Sequence, residues 1–224
     1  MRLFGVCALA LACAACGQPP GPTQTSTSSS TSTSTETVWT QINPARVDWA
    51  RGQLPQGYEV AEYTGSAAPL RLWSFGGATV SEPPQCRALA EPAVDAATTR
   101  GWSASGPGGI IYALAAASGS PERPESALLA ECARWTLTSG HTSGTVTAEP
   151  APDIEAAETV AMSTVVTTVV EGGTETRSRA DTFVAYLGGY VCFVLLVTDP
   201  GSPAPLQRGF AAELLIEVVS ALRG

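Results

Sequence analysis

The chain has 224 residues, with 12 basic and 20 acidic side chains and a formal net charge of −8. All twelve basic residues are Arg, and none of them forms a cluster. That balance excludes a nucleic-acid binder working by phosphate neutralisation, and it excludes attachment to anionic lipid head groups by charge alone.

Residues 1–15 read as a signal peptide. Arg2 and the amino terminus supply the positive charge, and Leu3 to Ala15 form a short apolar segment ending in the small pair Ala14-Ala15. The segment is too short to span a bilayer. Cys16 follows the small pair, as in the lipobox of bacterial lipoproteins, where the cysteine thiol is acylated and becomes the new amino terminus. The position three before Cys16 is Cys13 rather than the usual Leu, and Cys13 is the alternative acceptor. Cys16 is favoured because it gives the longer apolar segment and is followed at once by Gly17 and polar residues. Each buried methylene of an acyl chain contributes roughly 0.8 kcal/mol, and two chains hold firmly where one does not. A membrane anchor of that kind needs no spanning helix.

Residues 16–37 hold Pro19, Pro20 and Pro22 and then an almost unbroken Ser/Thr run. Such a segment lacks the apolar surface to offset its ordering entropy, so it is expected to be a disordered stalk. As a coil of that length it reaches roughly 25 Å, and its composition also suits O-glycosylation. Residues 38–224 remain, enough for one extracytoplasmic domain with a core.

Asn43 as N-cap and Pro44 at the first helical position predict a short helix to about Ala50. Tyr58 to Tyr63 reads as a strand, "SAAPLRLWSFGG" as a turn or short helix, and Pro84 to Glu91 as a helix. "RGWSASGPGGIIYALAAAS" predicts a hairpin with strands near Trp102 and over Ile110 to Ala116. A helix is expected from about Pro124 to Ala133, then a second hairpin turning at Gly140 to Gly144. Three long strands follow: Glu158 to Glu171, Arg179 to Leu187 and Tyr190 to Thr198. The last is apolar at nearly every position, which suits a central strand covered on both faces. Residues 200–205 read as a loop. The closing segment repeats Leu206, Phe210, Leu214, Val218 and Leu222 at spacing four, an amphipathic helix packing on a sheet. The sum is an α+β domain: an antiparallel sheet with helices on one face, including the C-terminal helix.

Once Cys7 and Cys13 leave with the signal and Cys16 is acylated, Cys86, Cys132 and Cys192 remain in an oxidising compartment. Cys192 sits in "YVCFVLLV", where a free thiol behaves as a small hydrophobe. Cys86 and Cys132 lie in helix-like stretches with polar neighbours, so they form the favoured pair; Cys86–Cys192 and Cys132–Cys192 are the alternatives.

"LPQGYEV", "SEPPQCRALAEP", "GWSASGPGGIIYALAA" and "FAAELLIEVVSALRG" together resemble a family of mycobacterial lipoproteins built on a domain of unknown function. The likeness covers roughly Arg46 to Gly224. The order of a helix carrying "PPQC", an antiparallel sheet and a terminal helix also resembles, more distantly, the extracellular sensor domain of PknH-type serine/threonine kinases. The resemblance implies a cell-envelope lipoprotein with no catalytic residues.

A catalytic constellation is not visible. His141 is the only histidine and lies in a glycine-flanked turn, "SGHTSG", with G-x-x-S-G in place of the G-x-S-x-G elbow. With one His and no CxxC pair, a zinc site is not expected, and no cofactor is implied. Glu155 with Glu158, or Glu171 with Glu175, read as exposed acids at strand ends. "SGPGG" has no P-loop lysine and reads as a hairpin turn. The remaining candidates for a ligand pocket are the aromatics Trp73, Phe75 and Trp102, near loops, with core packing as the competing role. The expectation is a lipid-anchored, extracytoplasmic binding or sensor-like module for an envelope lipid, glycan or protein. A structural or protein-interaction role is the alternative.

Overall fold

The structure, a computed structural model, describes residues 41–76, 78–119, 123–198, 201–202 and 206–224. The signal peptide, Cys13, Cys16 and the Ser/Thr stalk lie outside the described residues, as does most of the 200–205 loop.

Nine strands form one antiparallel sheet: β1 (Glu59–Glu62), β2 (Val80–Glu82), β3 (Arg100–Gly106), β4 (Gly109–Ala117), β5 (Arg134–Ser139), β6 (Thr142–Glu149), β7 (Glu158–Val169), β8 (Glu175–Tyr186) and β9 (Tyr190–Thr198). Their order across the sheet is β1-β3-β4-β9-β8-β7-β6-β5-β2. The run from β5 to β9 is a meander of neighbouring hairpins. The β4–β9 pairing then joins the two halves of the chain, with Ala113 opposite Val194 and Leu114 opposite Phe193.

Alternation along each strand sorts the apolar side chains into two cores. On one face Trp102, Ala113, Ala115, Phe183, Val194 and Leu196 pack against α4 (Arg208–Arg223) and the 3-10 helix Pro44–Gln53. From α4 come Ala211, Leu214, Leu215, Val218, Val219 and Leu222, all buried; Leu214, Val218 and Leu222 belong to the spacing-four stripe read from the sequence, while Phe210 is half-buried and Leu206 precedes the helix. The 3-10 helix is tied to the end of α4 by the Asn43 amide, which donates to the Leu222 carbonyl at 2.9 Å. On the opposite face Leu114, Val146, Met162, Val184, Phe193 and Leu195 pack beneath Trp73, Phe75 and the short helices α1 (Pro69–Leu72), α2 (Arg87–Ala90) and α3 (Ser126–Glu131). The α+β class stands. The helices, expected as one layer, divide between the faces, because a strand apolar on both sides needs cover on both.

Several boundaries differ for local reasons. The segment Pro84 to Glu91 is a 3-10 turn, Pro84–Cys86, running into α2. Strand β8 starts at Glu175, four residues before the expected Arg179, because its first residues are polar and exposed and carry no alternation signal. Strand β2 is only three residues long and pairs at the edge with β5, too short for a period. The second hairpin turns at Gly140-His141, and Gly144 lies inside β6. A Cβ on Gly144 would stand 2.7 Å from Cζ of Phe75, so the glycine makes room for that ring.

Cys86 and Cys132 form the disulfide, and Cys192 is free and fully buried. The bond closes a loop with a sequence separation of 46 residues. Loop-closure entropy for that length corresponds to about 4 kcal/mol. Denaturant titration of the paired Cys86→Ser, Cys132→Ser chain is expected to show a loss of that order. An unchanged midpoint would mean the unfolded chain is already compact around this loop.

Candidate functional site

The three aromatics singled out in the sequence are core residues. Trp102, at 0% exposure, sits on the α4 face, and its indole Nε1 donates to the Val47 carbonyl at 3.0 Å. Trp73 and Phe75, each at 1%, sit on the other face. The Trp73 Nε1 donates to Thr182 Oγ1 at 3.0 Å, and its ring packs 6.4 Å from that of Trp135. The sheet therefore separates Trp102 from the other two, and none of the three lines a cavity described below.

The apolar concavity lies on the disulfide face. The Cys86–Cys132 bond joins the turn leading into α2 to the end of α3. Between these helices and the strands below is a cavity of about 390 Å³. Its apolar walls include Leu89 from α2, Leu128 from α3 and Val191 from β9, with Pro92 and Pro124 beside them. Tyr186, at the end of β8, contributes a phenol hydroxyl, and Ser118 a second hydroxyl. Tyr186 is half-buried, and its phenol makes no hydrogen bond among the described residues. Burial pushes its pKa up to about 12, so it stays a neutral donor at every physiological pH. Arg123 and Glu125 add charge at the same cavity, and Arg123 pairs with Glu158 at 3.7 Å. Apolar walls with one unpartnered hydroxyl and a guanidinium suit an amphiphile: a hydrocarbon portion inside and a polar group at Tyr186 and Arg123.

His141 is exposed in the β5–β6 turn. Among the described residues no group of three His, Cys, Asp or Glu side chains is placed to hold a metal ion. The Cys192 thiol is pushed up to about 12, chiefly by burial, so it stays protonated and inert. No described helix is long and apolar enough to cross a membrane.

Residues 43–223 match the family described as domain of unknown function DUF5642. The chain belongs to the DUF5642 family. The resemblance read from "SEPPQCRALAEP" and the terminal helix is thus borne out at the level of the family. No curated protein matches the chain. Among solved structures, this DUF5642 domain is similar to an uncharacterised protein of Mycobacterium smegmatis, the Rv0999 ortholog. The identity is 22% and the TM-score 0.60, over 82% of this chain and 98% of that one. The extracellular domain of PknH from Mycobacterium tuberculosis is also matched, at 13% identity and TM-score 0.42, over 81% of this chain and 93% of that one. The first likeness shows a shared fold.

The pocket residues escaped the sequence reading because they come from segments far apart in the chain. The one available signal was Tyr186, a polar-tipped ring at the end of an otherwise apolar strand. In the unfolded chain this phenol ionises near its ordinary value of 10.0, while in the fold it does so near 12. Its contribution to stability is therefore full below pH 10 and is lost as pH rises towards 12. Tyr186→Phe is expected to flatten that part of the alkaline stability curve in denaturant melts. An identical alkaline slope in the variant would show that the phenol is not held away from water.

Proposed function

We propose that the chain is a lipid-anchored, extracytoplasmic envelope protein whose domain is a non-enzymatic ligand-binding or sensor-like module. The apolar pocket between α2 and α3 is its ligand site in this reading. The observation that carries it is the pocket itself, about 390 Å³ with apolar walls and the Tyr186 hydroxyl on its lining. A volume in the range typical of small-molecule sites, with few polar groups, favours an envelope lipid over a glycan. The extracytoplasmic location is supported by the Cys86–Cys132 disulfide, since such bonds persist in oxidising compartments. Membrane attachment rests on the lipobox-like Cys16 and the short apolar segment before it. Nucleic acid is not a partner in this reading, given the net charge of −8.

A second reading, a structural or protein-interaction lipoprotein, is favoured by the sheet's edges. Strand β1 exposes all four of its residues, and β2 exposes Val80 at 61%. Unpaired strand edges accept a partner's strand.

Native mass spectrometry separates the two. The full chain, incubated with an envelope lipid extract, is expected to carry a discrete added mass that is lost on denaturation. Ala88→Trp, at an exposed helix position lining the pocket, is expected to abolish it. A bare protein mass for the unaltered chain would overturn the pocket reading and direct the search to the edge strands. The anchor has its own check: Cys16→Ser is expected to lose metabolic labelling by a palmitate analogue and to leave the membrane fraction. Retained label would assign the lipid to Cys13.

A further inference from the structure

Helix α4 covers only part of its face of the sheet. Beyond it, strands β5 to β8 present a groove of about 410 Å³ lined by Arg134, Thr145, Thr147, Glu149, Ser163, Val165 and Arg179. The register fixes how these meet. One cross-strand row runs Arg134, Thr147, Ser163, Asp181, and the next runs Thr136, Thr145, Val165, Arg179. Two guanidinium groups thus flank a floor of short hydroxyl side chains.

The charges do not cancel. Asp181, at 4% exposure, is held by Arg179, whose Nε and Nη2 donate to it at 3.2 and 3.1 Å. That edge-on geometry leaves Arg179 Nη1 without a partner among the described residues. Glu149 accepts from Arg208 Nη1 at 2.8 Å, and Arg208 Nε stands 4.0 Å from Asp181. Both carboxylates are therefore matched by Arg179 and Arg208, while Arg134 has no ion pair among the described residues. Three cations against two anions leave a positive spot on an acidic chain.

The floor carries a second, independent sign. Ser163 is 7% exposed and lines the groove, yet its hydroxyl has no hydrogen-bond partner among the described residues. Lining the groove, that hydroxyl is available to a ligand. No aromatic ring lines the groove, so it lacks the stacking surface that a neutral sugar uses. Forked guanidinium donors and a free hydroxyl are what a tetrahedral oxyanion needs.

We propose that this groove is an oxyanion site for the phosphate group of an envelope ligand, gripped by Arg134 and Arg179 over Ser163. It lies across the sheet from the apolar pocket and does not rest on that reading. The phosphate has two sources, a lipid head group or a soluble phosphate ester, and the test distinguishes them. The full chain in neutral detergent is titrated by calorimetry with inorganic phosphate and with glycerol phosphate. In parallel, its flotation with vesicles is measured with and without phosphatidylglycerol. Saturable heat with the soluble probes is expected, weakened at least about tenfold in Arg134→Gln, which removes one charge-assisted contact. Arg134 is exposed, so this variant keeps the fold. Ser163→Ala is expected to weaken binding in the same direction, while Arg71→Gln, exposed on α1 on the opposite face, is expected to leave it unchanged. Capture of glycerol phosphate without vesicle preference assigns a soluble ester. Arg134-dependent flotation assigns the lipid head group. Absence of binding to every probe, or binding untouched by Arg134→Gln, overturns the proposal.

Discussion

Strand β9 cannot face water on either side. From Val191 to Leu196 every residue is buried, and the side chains alternate between two cores. The chain meets that constraint with two covers drawn from different places. One is α4, with the 3-10 helix Pro44–Gln53 laid beside its end through Asn43 and Leu222. The other is the set of short helices joined by Cys86–Cys132. Small residues on β4, Ala113 and Ala115, let the first cover approach closely, while Leu114 fills the second. Because β9 pairs with β4 on one side and β8 on the other, the β4–β9 ladder and both covers depend on one another.

Neither cover matches the sheet in size. A 16-residue helix is about 24 Å long, whereas nine strands at about 4.8 Å spacing make a sheet nearly 40 Å across. On the α4 face the shortfall falls over β5 to β7, and the sequence answers it with hydroxyl side chains. Thr136, Thr138, Thr145 and Thr147 point to that face, while Trp135, Leu137 and Val146 on the same strands point to the covered one. The open groove is a consequence of this incomplete cover. Its guanidinium groups sit where the polar half-face meets the beginning of α4.

Much of this was legible from the sequence, and the reasons are specific. Period two in β7 and β9, period near four in α4, and glycine turns between strands are properties of contiguous segments. The disulfide was legible by exclusion, since Cys192 lies within an apolar strand and is indeed buried there. The aromatics were harder, because a place near loops fitted a pocket wall as well as core packing. What places Trp73 and Trp102 inside are partners remote in the chain, Thr182 and the Val47 carbonyl, each of which satisfies an indole N–H. Phe75 is admitted by the missing side chain of Gly144. The two concavities were not legible at all. One needs α2, α3 and two strand ends together, and the other exists only once four strands are in register.

The disulfide links the fold to the proposed pocket. Cys86 immediately precedes α2 and Cys132 immediately follows α3, so the bond fixes the two helical walls relative to each other whether or not a ligand is present. Helices of four and six residues have little stability of their own. Without the crosslink their positions would depend on the packing of Leu89, Leu128 and Leu129 and on polar contacts such as Gln85 to Glu131. A covalently fixed pocket binds without the entropy loss of ordering its walls, which is the general advantage of preorganisation. The staple that holds the second cover in place also ties together the two helices that line the proposed pocket. In the proposed reading, stability and binding at this face share one dependence on an oxidising environment.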